Sequence, residues 1–161
     1  MKECNVTIEN YGEIEMHKVF GKREHVEYID REGAYVILIQ DNKVGIIQTS
    51  KGFFLPGGGL ENEESHITCI ERECIEEIGC AVSVKDKICS AETYTQHPTI
   101  GYFHPIQTYY VGEVISKVTE PLESDHKFIW IEYDEIKGKM FVEMQNWALE
   151  QCIKLNFEVL R

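Results

Sequence analysis

Two patterns of apolar residues alternate along the chain, one typical of strands and one typical of helices. Residues 34–40 (AYVILIQ) and 43–49 (KVGIIQT) are apolar runs rich in Val and Ile, and Asp41-Asn42 between them is a turn signal. These runs predict a β-hairpin. Similar runs predict further strands at residues 13–19, 25–29, 81–88, 106–114 and 128–131.

Helical periodicity occurs in two segments, residues 65–78 and residues 142–155. Ser65 is a suitable N-cap for the first helix, and Gly79 suits the left-handed residue that ends it. At 100° per residue, one stripe of this helix is apolar and is predicted to be buried. Its members are Ile67, Ile70, Cys74 and Ile78. The second segment carries Met144, Trp147, Ala148 and Ile153.

The predicted strands outnumber the two helices and surround the first of them. This arrangement indicates an α/β or α+β sandwich. No repeat, low-complexity tract or Pro/Ser-rich linker divides the 161 residues, so we expect a single domain over residues 1–161.

Charge and composition exclude several classes of partner. The formal net charge is −12, which argues against a nucleic-acid polymer as partner, because proteins that bind one present a basic face. No apolar run of about 18 residues is present, so no membrane span is expected. The opening residues MKECNV lack the apolar core of a secretory signal, and the expected location is the cytoplasm.

The six cysteines form no C-x-x-C pair, and free, mostly buried thiols are expected. His97, His104 and His126 show no metal-ligand spacing, which favours surface or core histidines over zinc ligands.

Three carboxylates are predicted to crowd on one side of the first helix. Glu73, Glu76 and Glu77 stand at i, i+3 and i+4, so their like charges repel unless a cation offsets the cost. Mg²⁺ prefers such oxygen ligands and shares its remaining positions with substrate phosphates. The glycines at 57–59 precede this helix, where backbone N–H groups favour an anion. By themselves the glutamates are more commonly a solvated acidic face.

The longer pattern around these glutamates resembles the Nudix box, Gly-x5-Glu-x7-Arg-Glu-U-x-Glu-Glu-x-Gly-U, where U is a bulky aliphatic residue. The residues in register are Gly58, Glu64, Arg72, Glu73, Glu76, Glu77 and Gly79. Cys74 and Cys80 occupy the two U positions, a departure that concerns local packing because cysteine is a small hydrophobe. Segments 20–24 and 52–59 and Trp130 resemble a MutT-like subgroup known mainly from bacteria.

The resemblance implies a Nudix α/β/α sandwich, with a mixed sheet between helices. It implies a hydrolase of phosphoanhydride bonds that uses Mg²⁺, for which Mn²⁺ can substitute, and enzymes of this family are often homodimers. It makes Glu73, Glu76 and Glu77, with the carbonyl of Gly58, the metal ligands. Glu73 would also deprotonate or orient the attacking water. Glu64 and Arg72 would form a supporting ion pair between the helix and the glycine loop.

Residues outside the box give further candidates with open alternatives. In several enzymes of the family, a loop before the late tryptophan supplies a general base or an extra metal ligand. Here that loop offers Glu123 and Asp125, which are equally consistent with ordinary turn residues. Tyr94 and Tyr102 are candidates for stacking on a base, against simple packing under a loop. Phe54, Gly57, Gly58 and Gly59 are candidates for substrate binding, although alternation places either Phe53 or Phe54 in the core.

Three functions remain open from the sequence. The first is a pyrophosphohydrolase acting on a small nucleotide, such as 8-oxo-dGTP or another nucleoside triphosphate, ADP-ribose, or a dinucleoside polyphosphate. The second is a non-catalytic Nudix-like domain that binds a nucleotide and regulates a partner. The third, an acidic Ca²⁺-binding protein, lacks the Asp-x-Asp-x-Asp-Gly loop such proteins use.

Overall fold

A mixed β-sheet forms the centre of the computed structural model. The structure describes residues 4–9, 13–122 and 124–155, and side chains from Met16 onward. In these ranges the strands are β1 (Cys4–Glu9), β2 (Glu13–Phe20), β3 (Ile29–Gln40), β4 (Lys43–Thr49), β5 (Gly52–Phe54), β6 (Gly57–Gly59), β7 (Cys80–Thr93), β8 (Thr95–His97), β9 (Gly101–Lys117) and β10 (Lys127–Glu132). The helices are α1 (His66–Ile78), α2 (Tyr133–Ile136) and α3 (Glu143–Leu155).

The strand order is β1-β2-β7-β9-β3-β4-β10. The β2–β7 and β3–β9 pairs are parallel, and the other neighbours on this path are antiparallel. Three short strands lie off the path, where β5 pairs with β4, β6 with β3 and β8 with β9. The pairing of β6 with β3 fixes the glycine segment against the centre of the sheet.

The two faces of the sheet carry different helices because side chains alternate along each strand. On β3, Ala34 and Val36 belong to the cluster that α1 covers with Ile70. Ile37 belongs to the cluster on the opposite face, which α3 covers with Leu149. A helix therefore packs on each face, and the predicted sandwich with a mixed sheet between helices is confirmed.

Most predicted elements are confirmed, with longer strands than the sequence indicated. The β3–β4 hairpin turns at Asp41 and Asn42, both with positive φ, as a two-residue hairpin loop requires. The prediction of a strand at residues 25–29 was wrong except for Ile29. The backbone N–H of Glu24 donates to the Tyr28 hydroxyl, and pairing with β9 begins only at Ile29 opposite Phe103.

Five elements were not predicted: β1, β5, β6, β8 and α2. β5 and β6 have three residues each, too few for apolar alternation to mark them, and β6 consists of glycine alone. Glycine has low β-propensity, and these strands exist through their pairing with β3 and β4.

The cysteine prediction is confirmed for five residues. Cys69, Cys74, Cys80, Cys89 and Cys152 are buried and form no disulfide, and the side chain of Cys4 lies outside the described part of the chain. Within the same ranges, the helices are all too short or too polar to cross a membrane.

Candidate functional site

Helix α1 carries the glutamates and is held at both ends as the sequence predicts. The backbone N–H of Thr68 donates to the Ser65 hydroxyl at 3.1 Å, and Gly79 ends the helix in the left-handed conformation with φ 68°. The buried residues are Cys69, Ile70, Cys74 and Ile78. Ile67 was expected among them but is 47% exposed. The packed face includes Cys69 instead, and its thiol donates to the carbonyl oxygen of Gly58 in the adjoining loop.

Arg72 links the helix to the loop that precedes it. Its Nε and Nη2 donate to the two carboxylate oxygens of Glu64, each at 2.8 Å, and Nη2 also donates to the carbonyl oxygen of Gly59. Its Nη1 donates to Glu73 at 3.0 Å and to Glu76 at 3.3 Å. The hydrogen bond from Arg72 is the main cause that lowers the pKa of Glu64 to about 2. The predicted pair is in bidentate contact.

We expect Arg72→Ala to lower the melting temperature at neutral pH. A carboxyl with a depressed folded-state pKa stabilises the protein above its unfolded pKa, and that stability is lost as pH falls through the folded pKa. The difference in melting temperature between wild type and Arg72→Ala should therefore shrink from pH 4.5 toward pH 2. Thermal melting across this range measures it. A control is Lys117→Ala, which removes the exposed ion pair with Glu120 and should leave stability nearly unchanged. A pH-independent difference would contradict this role of the pair.

The glycine segment brings backbone against the glutamates. The N–H of Gly57 donates to Glu77 Oε1 at 2.9 Å. A Cβ at Gly58 would lie 2.5 Å from Glu73 Oε1, so only glycine lets the carboxylate of Glu73 approach this backbone. The glycine strand β6 therefore contacts α1 through the carboxylates of Glu73 and Glu77.

The three glutamates differ in exposure and partners. The side chains of Glu73 and Glu77 are 17% and 13% exposed, whereas that of Glu76 is 40% exposed. Burial is the main cause that raises the pKa of Glu73, and the neighbouring Arg72 acts in the opposite direction. In the part of the chain that the structure describes, no three His, Cys, Asp or Glu residues are placed to hold a metal ion. Glu73 and Glu76 point to Arg72, and Glu77 points to Gly57.

A cleft of about 350 Å³ opens beside Glu77. One part of its wall is polar and the other is apolar. The polar or backbone contributions come from Tyr35, Thr49, Lys51, Gly57, Glu77, Asp125, His126 and Gln145. The apolar contributions come from Ile47, Phe54, Leu55 and Val142. Phe53, which neighbours Phe54 in sequence, packs against the core on the α3 face, as alternation of the two rings predicts.

The loop before β10 contributes to this cleft. Asp125 and His126 both line it with Glu77, and His126 Nδ1 lies 3.7 Å from Glu77 Oε2. This Nδ1 is buried and has no hydrogen-bond partner among the described residues. Glu123, the other candidate in the loop, lies outside the described residues.

Tyr94 and Tyr102 line a second cleft, of about 390 Å³, together with Tyr28. As far as the structure describes the chain, this cleft shares no lining residue with the cleft beside Glu77. The ring of Tyr94 stacks on His104 with centroids 4.2 Å apart, and the Tyr94 hydroxyl donates to Glu92. The structure therefore does not bring these two tyrosines together with the glutamates.

Sequence reasoning missed Tyr35, Lys51, His126 and Gln145 as cleft residues. Gln145 had a detectable signal, because it shares the apolar stripe of α3 with Ala148, Leu149 and Cys152, at positions i+3, i+4 and i+7. A polar residue on such a stripe needs a buried partner. Tyr35 and Lys51 carried no comparable signal.

Comparisons with known proteins agree with the geometry. A family model described as NUDIX domain matches residues 26–151. A comparison with curated proteins finds no significant match.

Several solved structures share the fold. A NUDIX hydrolase from Nitrosomonas europaea has a TM-score of 0.65 at 20% identity, covering 76% of this chain and 88% of its own. A MutT NUDIX hydrolase from Burkholderia pseudomallei has a TM-score of 0.62 at 19% identity, with coverages of 76% and 98%. An ADP-ribose pyrophosphatase from Streptococcus suis has a TM-score of 0.57 at 15% identity, with coverages of 78% and 90%. At these identities the likeness establishes the fold.

Proposed function

The chain belongs to the Nudix family of phosphoanhydride hydrolases, and we propose that it cleaves the diphosphate linkage of a small nucleotide derivative with the help of a divalent cation. The observation that carries this proposal is the cleft beside Glu77. It joins one carboxylate of α1, that of Glu77, and the backbone of Gly57 to an apolar pocket large enough for a small molecule.

The donors around Glu77 suit a hard cation such as Mg²⁺, or Mn²⁺ in its place. Glu73, Glu76 and Glu77 offer carboxylate oxygens, with the Gly58 carbonyl beside them. The elevated pKa of Glu73 reflects the cost of a buried negative charge, a cost that a cation would offset. Holding the cation requires Glu73 and Glu76 to exchange their bonds to Arg72 for it. Such a cation would neutralise the diphosphate and acidify the attacking water.

The residues of this chain have separate roles in the proposed reaction. Glu73, buried against Gly58, accepts a proton from the attacking water, because a carboxyl of raised pKa is the better base near neutral pH. Glu64 holds the guanidinium of Arg72, and Arg72 Nη1 holds Glu73 in place until the cation takes over that carboxylate. Asp125 and Glu123 are the further carboxylates proposed to assist from the loop.

The proposed substrates are nucleoside triphosphates such as 8-oxo-dGTP and nucleotide sugars such as ADP-ribose. The solved structures that share the fold include a MutT NUDIX hydrolase and an ADP-ribose pyrophosphatase. Gly57, Gly58 and Gly59 would face the phosphates and Phe54 the base. A role for Tyr94 and Tyr102 requires a second subsite in their own cleft, and assembly as a homodimer is a further part of the proposal.

The test is a panel of nucleotides assayed for phosphate or nucleoside monophosphate release in Mg²⁺, in Mn²⁺ and in excess chelator. We expect at least one nucleotide to be hydrolysed with either metal, and turnover to disappear with chelator. Full turnover in chelator would refute the metal requirement. Saturable nucleotide binding without hydrolysis of any substrate would favour the regulatory, non-catalytic alternative.

A further inference from the structure

The cleft beside Glu77 contains a buried carboxamide, that of Gln145, which is 1% exposed. Its Oε1 accepts a hydrogen bond from the Leu55 backbone N–H at 2.8 Å. Within the described ranges, the carboxamide nitrogen makes no hydrogen bond, although the residue lines the cleft. This nitrogen is not fully buried, because His126 Nδ1 is the only fully buried side-chain N or O atom without a hydrogen-bond partner among the described residues. It is therefore open to the cleft and can donate to a ligand group that accepts a hydrogen bond.

The Leu55 contact fixes which end of the amide is free. Only the oxygen of a carboxamide accepts a hydrogen bond, so the oxygen is committed to Leu55 and the NH₂ group remains for the cleft. Gln145 cannot exchange the two ends without losing the bond to Leu55. The side chain therefore offers its NH₂ donors to the cleft while its oxygen stays with Leu55.

The remaining walls suit a flat heterocycle. Ile47, Leu55 and Val142 are apolar, and Phe54 adds an aromatic ring. Glu77 lines the same cleft of about 350 Å³. A nucleobase has two apolar faces and a polar edge, and a diphosphate attached to it would extend toward the glutamate.

We propose that the Gln145 carboxamide donates to a carbonyl oxygen on the base of the substrate, so that the protein selects oxo-substituted bases over amino-substituted ones. This rests on the proposed function and adds to it the class of base. An oxo group accepts the hydrogen bonds of the carboxamide NH₂. An amino group at the same position sets donor against donor and leaves both without partners.

The first experiment compares inosine with adenosine nucleotides, whose bases carry an oxo or an amino group at the same ring carbon. Both are supplied as triphosphates and as diphosphoriboses with Mg²⁺. We expect kcat/KM for the inosine compound to exceed that for the adenosine compound by about tenfold or more. Equal values in wild type overturn the inference while leaving the proposed function standing. If other nucleotides of the panel are hydrolysed but neither the inosine nor the adenosine compound is, the inference is likewise overturned. If no nucleotide of the panel is hydrolysed, the proposed function itself is contradicted.

The second experiment uses Gln145→Glu, which keeps an oxygen for Leu55 and replaces the donor with an acceptor. The inosine-to-adenosine ratio should fall by about tenfold or more. Gln151→Glu makes the same change elsewhere on α3 and should leave the ratio unaltered. If Gln145→Glu does not fold, Gln145→Met removes the donor without adding charge, and the ratio should approach one. A ratio retained in either folded Gln145 variant overturns the inference.

Discussion

Glu76→Gln is expected to reduce kcat by about 10²-fold or more, which corresponds to about 3 kcal/mol of lost transition-state stabilisation. The amide keeps the size of the side chain but has lost the charge that a divalent cation requires. If the glutamates are only a solvated acidic face, the 40% exposed side chain of Glu76 takes no part in the reaction. The substitution then leaves turnover intact.

The melting temperature of Glu76→Gln is not expected to fall along with its kcat. The contact of Glu76 with Arg72 is partly exposed at 3.3 Å, and such ion pairs contribute about 0–1 kcal/mol. Removing one of several crowded carboxylates relieves repulsion. The metal-free variant should therefore melt at the wild-type temperature or slightly above it.

The matched control is Glu71→Gln, which removes the same charge from an exposed position of α1. It should retain both kcat and the rise in melting temperature that Mg²⁺ gives wild type, since ligand binding stabilises the folded state. In Glu76→Gln the Mg²⁺ response should be smaller. Equal turnover and an equal Mg²⁺ response in the two variants would contradict the metal site.

Gly57→Ala is expected to destabilise the fold by about 3 kcal/mol or more. Gly57 has φ 142°, a conformation that L side chains rarely adopt. An added Cβ would also lie 2.6 Å from Tyr35 Cα and would collide with the Ala34 carbonyl oxygen. Because these are backbone atoms of β3, β6 must move, and the N–H of Gly57 then leaves Glu77. Thermal melting should show a loss of about 10 °C, with a loss of activity.

Gly138→Ala separates the two causes of this effect. Gly138 also has a positive φ, of 73°, but an added Cβ there meets no atom within 4 Å. Only the conformational cost remains, which is about 1–2 kcal/mol. If both variants lost the same stability, the close approach of β6 to β3 would not be what requires glycine at position 57.

The sequence predicted the elements whose signals are local. Ser65 and Gly79 bound α1 because capping depends on a few neighbouring backbone groups. Asp41-Asn42 identified the hairpin because the turn itself favours those residues. The strand prediction for residues 25–29 was wrong because a strand needs a pairing partner. Pairing with β9 begins only at Ile29.

The site residues that lie in one continuous segment of the chain could be predicted from the sequence. Those that join the site only through tertiary contacts could not. The glycine strand β6 and the glutamate-bearing helix α1 follow one another in the sequence, and a hydrogen bond between Gly57 and Glu77 joins them in the structure. His126 and Gln145 reach the same cleft from a distant loop and helix. Which end of the Gln145 amide is available to a ligand becomes clear only from its contact with Leu55, 90 positions away in the sequence.

The parallel pairing of β3 with β9 has a consequence for how this protein is made. His104 on β9 reaches Asp30 on β3 across 74 positions, and the glycine strand and the acidic helix lie within the chain segment between them. A contact of such sequence separation closes late, because loop entropy must be lost before any pairing is gained. During synthesis, helix α1 therefore leaves the ribosome well before the sheet that it covers is complete. Because β9 lies between β7 and β3 in the sheet, the surface on which the carboxylate-bearing helix α1 packs is complete only after β9 has left the ribosome.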